Sequence, residues 1–239
     1  MTLKEAIDVR HSRRSYTPKR LSGQVIHTLT NIIDEANREH LHIQLITEGE
    51  KAFSSLLKTY GLFSGVHTYL AMVGPKDDPQ AQQLLGYYGE LLILTASQHG
   101  LSSCWVGATF DQGNTRADIA PGEQLYCLIT LGYAKDHTSL GEKLALSMKG
   151  RPHTAEQIME YRGTGPAPQW FMDGIRAVLK APSARNRLPV HFTLKHGIVT
   201  AACIPNGGYE YIDLGIALLH FEIGADYIFY PLRTRHSNK

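Results

Sequence analysis

Apolar residues recur along the chain with two spacings, and these divide it into candidate helices and strands. Between residues 24 and 39 they lie three or four positions apart on one stripe, as in an amphipathic helix. Residues 41–45 alternate instead, which is typical of a strand. Residues 48–60 predict a second helix, and residues 67–73 predict a buried strand.

The longest candidate helix, residues 80–99, is apolar on nearly every side and is therefore expected in a core or a large interface. Gly100 follows it and suits a left-handed C-terminal cap. The remaining predicted segments are an extended piece at 101–107, strands at 125–131, 190–193, 198–204 and 226–232, and helices at 154–161, 169–180 and 211–221, the last ending at Gly224. Mixed sheets flanked by helices, an α+β fold, are therefore predicted.

The later part of the chain repeats the plan of the earlier part. Tyr87 and Tyr211 each open an apolar helix that a glycine closes, and two strands precede each helix. We therefore predict an internal duplication, with a first half at residues 1–162 and a shorter second half at 163–239, beginning at a Gly/Pro-rich linker. The alternative is that any two buried helices resemble each other.

Composition and charge narrow the classes of function. The 239 residues are 43% hydrophobic and 19% charged, and the net charge of +2 gives no basic stripe for nucleic acid. No apolar run reaches the roughly 20 residues of a membrane helix, and the charged start does not resemble a signal peptide, so a cytoplasmic protein is expected. Three widely spaced cysteines suit buried thiols, and the scattered histidines predict no metal site.

The main candidate for chemistry is a basic cluster near the N-terminus, Arg10-His11-Ser12-Arg13-Arg14-Ser15-Tyr16. Guanidinium groups bind phosphate oxygens through paired hydrogen bonds, and hydroxyls and free backbone N–H groups at a helix end add to such a site. The cluster therefore predicts a phosphate pocket. On these residues alone, a solvated basic N-terminus is the alternative.

Together with later segments, the cluster resembles the FMN-dependent nitroreductase family. The resemblance implies that the FMN phosphate is held by Arg10, His11, Ser12 and Arg14, and by Lys149 and Arg151 of a second basic pair that precedes a proline. Gly100–Gly107 resembles the family segment that lies along the isoalloxazine ring, which implies flavin contacts from Trp105, Val106 and Gly107. For Trp105, core packing is the alternative.

One departure from the family pattern is informative. Ordinary members carry a Pro-Ser-x-x-Asn segment after the first helix, which reaches the flavin of the partner chain, but residues 34–39 lack it. It occurs later, where the resemblance implies flavin contacts from Pro182, Ser183 and Asn186, with a simple cap and turn as the alternative. The second half in turn lacks an Arg-x-Ser-x-Arg motif. This complementary loss indicates a fused pseudo-dimer with one flavin site, similar to the duplicated TM-nitroreductase branch of the family.

The activity that the resemblance implies is hydride transfer from NAD(P)H through FMN to a nitroaromatic, quinone or related small-molecule acceptor. No side chain is expected as a catalytic nucleophile or acid–base group, because the flavin carries the electron chemistry. The alternatives are other flavin chemistry, such as reductive dehalogenation, and a non-catalytic flavin-binding or storage module. A monomeric pseudo-dimer is expected, with further dimerisation open and no nucleic-acid or membrane partner.

Overall fold

The computed structural model describes residues 1–55, 59–138, 142–143 and 152–229. As far as they are described, these residues divide into a first unit, residues 1–78 and 91–150, and a second unit, residues 79–90 and 151–239. This division differs from the boundary between residues 162 and 163 that the linker predicted. The internal duplication stays a prediction.

The described residues form six α-helices and seven β-strands. The α-helices are α1 (Leu3–Val9), α2 (Gly23–Asn37), α3 (Pro79–Gln98), α4 (Ala155–Ile158), α5 (Gln169–Val178) and α6 (Glu210–Ala225). The strands are β1 (His42–Ile46), β2 (Thr68–Pro75), β3 (Ser102–Val106), β4 (Glu123–Gly132), β5 (Met159–Tyr161), β6 (Val190–Lys195) and β7 (Ile198–Cys203). The predicted α+β class, with mixed sheets and flanking helices, is confirmed.

The sheet of the first unit has the strand order β1-β2-β4-β3, and every neighbouring pair is antiparallel. Its central strands β2 and β4 are buried along most of their length, as their nearly continuous apolar sequences require. On one side of them lies a core that includes Tyr16, Phe53 and Tyr69. The edge strand β3 is thereby fixed in register beside β4, with Cys104 opposite Thr130.

The second unit contains a smaller sheet with the order β5-β6-β7, in which β5 runs parallel to β6 and β7 antiparallel to it. The hairpin between β6 and β7 turns at His196 and Gly197, both with positive φ, as tight two-residue hairpins prefer. Aromatic rings fill the core beneath it. Phe192 and Phe221 stack with their centroids 5.0 Å apart.

Within the second unit, the first part of α3 lies very close to α6. A Cβ added to Gly86 would collide with the backbone of Ile212, and one added to Gly215 would collide with the backbone of Gln83. Glycine at these two positions therefore lets the two helix backbones touch. Such close packing explains why both helices are apolar on nearly every side.

Three of the predicted helices differ from the observed ones. Within the predicted helix 48–60, the structure has a 3-10 turn at Glu50–Phe53 and a helical residue at Thr59, and residues 56–58 lie outside the described residues. The predicted helix 154–161 ends at Ile158, because Met159–Tyr161 hydrogen-bonds to β6 as a strand. The helix predicted to end at Gly224 runs to Ala225, and Asp226 caps it with φ 52°.

Gly224 lies within α6 and does not end it; its lack of a side chain lets α5 pack closely against α6. A Cβ at this position would press into Ala177 and Asp173 of α5. The strand predicted at 226–232 is absent from its described part, residues 226–229, where Tyr227 and Phe229 pack against the aromatic core. No helix in the described ranges combines the length and the apolar character that crossing a bilayer requires.

Candidate functional site

The basic cluster is an extended segment, and the first unit holds it by its backbone. Arg13 donates its backbone N–H to the carbonyl of Ser103 on β3 at 2.9 Å, and Tyr16 donates to Ser64 at 2.9 Å. Thr17 donates to Tyr133, just beyond the end of β4, at 2.8 Å. The segment therefore lies beside both β3 and β4, which brings the cluster to the strand that the sequence resemblance assigns to the flavin ring.

Because side chains alternate along an extended segment, Arg10, Ser12 and Arg14 share one side of it. All three interact with Cys104 of β3. Burial raises the pKa of the Cys104 thiol, and the positive charges of Arg14 and Arg10 and a hydrogen bond with Ser12 oppose that rise. The Arg14 guanidinium also lies 5.9 Å from the ring centroid of Phe63, a cation–π distance. The structure thus brings together three of the four phosphate ligands predicted within the basic cluster; the fourth, His11, has an exposed side chain.

Arg13 points the other way. Its Nε donates to Oε1 of Glu142 at 3.1 Å, and its Nη2 donates to the carbonyl of Lys135 at 2.6 Å. The same Glu142 oxygen accepts from the backbone N–H groups of Arg14 at 2.6 Å and Ser15 at 3.2 Å. Neighbouring arginines in one sequence motif are therefore in different environments, one paired with a buried carboxylate and the other beside the β3 thiol.

Most backbone N–H groups of the cluster have protein acceptors. The N–H groups of Arg13, Arg14, Ser15 and Tyr16 all bond to protein acceptors, as does that of Arg10, which donates to Ala6 at 2.9 Å. The cluster also follows the C-terminal end of α1, where the helix dipole disfavours anions. Arg10 and residues 13–16 can therefore offer an anion their side chains but not their backbone N–H groups.

Tyr16 is a site residue that sequence reasoning did not single out. It is 1% exposed, and its hydroxyl donates to the carbonyl of Arg13 at 2.6 Å and shares a 2.7 Å hydrogen bond with Thr130. Burial raises its pKa well above the usual value, so the phenol stays neutral. A Cβ at Gly132 would press into the Tyr16 ring. The sequence feature that could have identified Tyr16 is its position as an aromatic residue at the end of the basic cluster.

The predicted ring-facing segment is β3 and the residue that follows it. Trp105 is half-buried and pairs with Ile129, and Val106 is buried opposite Leu128. Gly107 lies directly after the strand. The second basic pair, Lys149 and Arg151, lies outside the described residues, so its role stays a prediction.

In the second unit, the Pro182–Asn186 segment is a tight loop between α5 and β6. Arg185 and Asn186 both have φ 55°, and the Ser183 hydroxyl accepts a hydrogen bond from the N–H of Leu188 at 2.8 Å. This hydrogen bond is typical of a turn residue, and a flavin contact from Ser183 stays a prediction. The side-chain amide of Asn186 is half-buried and has no hydrogen-bond partner in the part of the chain that the structure describes.

A buried acid supports this loop. Asp213, 2% exposed in the first turn of α6, accepts the N–H of Ala184 through Oδ1 at 2.9 Å. Burial raises the pKa of Asp213 to about 6, and the nearby negative charge of Glu210 adds to that rise. The side chain of Asn206 also interacts with this carboxyl and acts to lower its pKa. With a pKa of about 6, the carboxyl is partly protonated in mildly acidic solution.

One solved structure has a similar fold, and two further nitroreductase structures are more distantly similar. The structure of a "putative nitroreductase" from Thermotoga maritima superposes with a TM-score of 0.63 at 19% sequence identity, covering 94% of this chain and 83% of that one. A nitroreductase with bound FMN from Bacteroides fragilis gives a TM-score of 0.49 at 18% identity, covering 71% of this chain and 100% of that one. The FMN-dependent nitroreductase NfnB from Mycobacterium smegmatis, in complex with NADPH, gives 0.45 at 14% identity, covering 56% and 87%.

Family membership is established by sequence. No curated protein sequence matches the chain. The profile of the family described as "Putative TM nitroreductase" matches residues 2–225, nearly the whole length. The chain therefore belongs to the TM-nitroreductase family.

Proposed function

We propose that the protein is an FMN-dependent oxidoreductase that takes hydride from NAD(P)H and delivers it to a nitroaromatic, quinone or related acceptor. Membership of a nitroreductase family supports the reaction class. The observation that carries the FMN assignment is the convergence of Arg10, Ser12 and Arg14 on one side of the basic segment, next to β3.

The donor set suits a phosphate dianion. No carboxylate among the residues that the structure describes forms an ion pair with the Arg14 guanidinium, whereas that of Arg13 is paired with Glu142. Two guanidinium groups and a hydroxyl supply charge-assisted hydrogen bonds, the strong kind that phosphate requires. Lys149 and Arg151 are proposed to add further positive charge.

The ring system of FMN needs a flat apolar surface with a few polar groups at its edge. In the first unit, the proposal assigns this role to Trp105, Val106 and the backbone of Gly107. In the second unit, it assigns the role to Pro182 and the unpartnered amide of Asn186, which has both donors and an acceptor to offer. Ser183 shapes the loop that presents this amide, and His11 is proposed as an outer contact to the phosphate.

Bound FMN would supply the electron chemistry, accepting a hydride from the nicotinamide and passing the electrons to the acceptor. The protein supplies binding and orientation. Neither Cys104 nor Tyr16 is suited to nucleophilic or acid–base work, because burial raises the pKa of both groups and keeps them neutral.

The test is flavin occupancy together with reduction of the bound flavin. The purified protein is expected to show a flavin spectrum that bleaches when NADH or NADPH is added without oxygen and returns when a quinone is added. The double variant Arg10→Ala/Arg14→Ala should reduce occupancy at least about tenfold, because it removes two charge-assisted contacts. If neither NADH nor NADPH bleaches the bound flavin, the proposed activity is wrong and the protein is a non-catalytic flavin-binding module.

A matched control removes the same number of charges elsewhere. Arg20→Ala/Arg116→Ala takes away two exposed arginines that pair with Glu50 and Glu48. Exposed ion pairs contribute little to stability, so this variant should keep full occupancy. Equal occupancy in both double variants would contradict the phosphate assignment.

A further inference from the structure

One buried carboxylate, that of Glu142, contacts both Arg13 and Arg14 of the basic cluster. Glu142 is 2% exposed, and its Oε1 accepts three hydrogen bonds, from Nε of Arg13 and from the backbone N–H groups of Arg14 and Ser15. Three donors on one buried oxygen satisfy a charge that would otherwise be costly to bury. Arg13 and Glu142 lie 129 positions apart in the sequence, so this contact joins two distant segments of the chain.

The geometry of these contacts controls where each arginine points. The Arg13 guanidinium is committed to Glu142 and to the carbonyl of Lys135, so it stays on the side of the segment away from Cys104. The N–H groups of Arg14 and Ser15 are fixed on the same carboxylate, which sets the backbone dihedrals on both sides of the Arg14 Cα. Because successive side chains of an extended segment alternate, Arg14 is held toward Cys104 and Ser12.

We infer that Glu142 is a positioning residue for phosphate recognition: it withholds Arg13 from the ligand and fixes the backbone that presents Arg14. This inference rests on the proposed FMN site and extends it to a residue outside the family motif. Glu142 acts through Arg13 and through the backbone of Arg14.

The inference predicts a selective loss of phosphate recognition. Riboflavin lacks the phosphate of FMN, so the ratio of the riboflavin Kd to the FMN Kd reports the phosphate contacts alone. Glu142→Ala leaves the backbone N–H groups of Arg14 and Ser15 unpaired, so Arg14 is no longer held in place, and we expect the variant to lower this ratio about tenfold or more. Glu142→Gln keeps the shape and an acceptor oxygen but not the charge, so a smaller fall in the same direction is expected. The riboflavin Kd should change less than about threefold in both variants.

Glu48 provides the matched control. Its carboxylate is 73% exposed and pairs with Arg116, so Glu48→Ala and Glu48→Gln change the net charge equally without touching the basic cluster. Both should retain the wild-type ratio. Circular dichroism and the melting temperature establish which variants are folded, and Glu142→Gln decides the question if the alanine variant does not fold.

The possible results separate this inference from the proposed function. A folded Glu142 variant that keeps the wild-type ratio, or that loses FMN and riboflavin affinity equally, would overturn the positioning role. A wild-type ratio near one, or a ratio unaffected by Arg10→Ala/Arg14→Ala, would instead overturn the phosphate site itself. The expected pattern is a high wild-type ratio that falls in the Arg10/Arg14 and Glu142 variants and persists in the Glu48 variants.

Discussion

At the scale of single residues, the candidate site depends on charged groups whose surroundings differ sharply within a few positions. Arg13 is paired with a buried carboxylate, while Arg14 approaches an aromatic ring and a thiol. The motif spacing predicted that Arg10, Ser12 and Arg14 act together, because alternate residues of an extended segment share a side. It could not predict Glu142, since a glutamate in a charged stretch looks like an ordinary surface residue.

Asp213 is recognisable in the sequence as an acidic residue inside a mostly apolar helical segment. Its role in holding the Pro182–Asn186 loop could not be predicted. That role depends on a hydrogen bond to Ala184, 29 residues away in the chain. Sequence periodicity indicates which face of a helix is buried, but not which backbone donor from another segment that face will meet.

Asp213 should make stability depend on pH in an unusual direction. The folded state holds the proton up to a pKa of about 6, whereas the unfolded chain releases it near the usual pKa of 3.8. The folded state therefore binds more protons between these values, and the contribution of Asp213 to the free energy of unfolding falls as pH rises from about 4 to 6. Above pH 6 this contribution is constant.

The variant Asp213→Asn should remove this effect, because an asparagine oxygen can still accept the Ala184 N–H without carrying charge. Its gain in unfolding free energy over the wild type should grow between pH 4 and pH 6 and level off above, reaching about 1–3 kcal/mol. Urea unfolding of both proteins at a series of pH values measures this difference directly. A difference that does not change with pH would show that the carboxyl does not titrate in this range.

At the scale of helices and strands, hydrophobic spacing located most elements but not what their glycines do. Gly100 follows α3 with φ 74°, as predicted for a helix end. Gly224 looked equivalent, yet it lies within α6, where it admits the close approach of α5. Both uses of glycine give the same sequence pattern, and only the neighbouring helix distinguishes them. The short strand β5 was missed for a similar reason, since its pairing partner lies in β6.

The contact between α3 and α6 leads to a prediction about stability. In Gly215→Ala, the new methyl group would meet the backbone of Gln83 and Tyr87, which cannot move as a flexible side chain could. We expect a loss of about 2–4 kcal/mol in unfolding free energy, at the upper end of overpacking effects. Thermal and urea unfolding measure it.

Gly23 provides the control for this prediction. It begins α2, and a Cβ there would have no heavy atom within 4 Å. Gly23→Ala should therefore be neutral or slightly stabilising, because alanine lowers the entropy of the unfolded chain. Equal stability of the two variants would contradict the close helix contact.

At the scale of the whole molecule, the number of flavins bound per chain follows from the distribution of motifs. The Arg-x-Ser-x-Arg motif occurs once, in the first unit, and the Pro-Ser-x-x-Asn segment occurs once, in the second. If both are needed for binding, the chain carries one such pair of motifs, enough for one FMN. The order helix–strand–strand–helix recurs as α2-β1-β2-α3 and α5-β6-β7-α6, with an antiparallel strand pair each time. This recurrence agrees with the predicted duplication.

We therefore expect one FMN per chain at saturation. The measurement is the absorbance of flavin released on denaturation, divided by a protein concentration from amino-acid analysis, after removal of excess FMN. Two per chain would mean that the sequence resemblance overlooked a second set of ligands, and the argument from complementary loss would fail while family membership stood. One per chain that disappears in Arg10→Ala/Arg14→Ala would assign the bound flavin to the basic cluster, since charge-assisted contacts with the phosphate are then its main anchor.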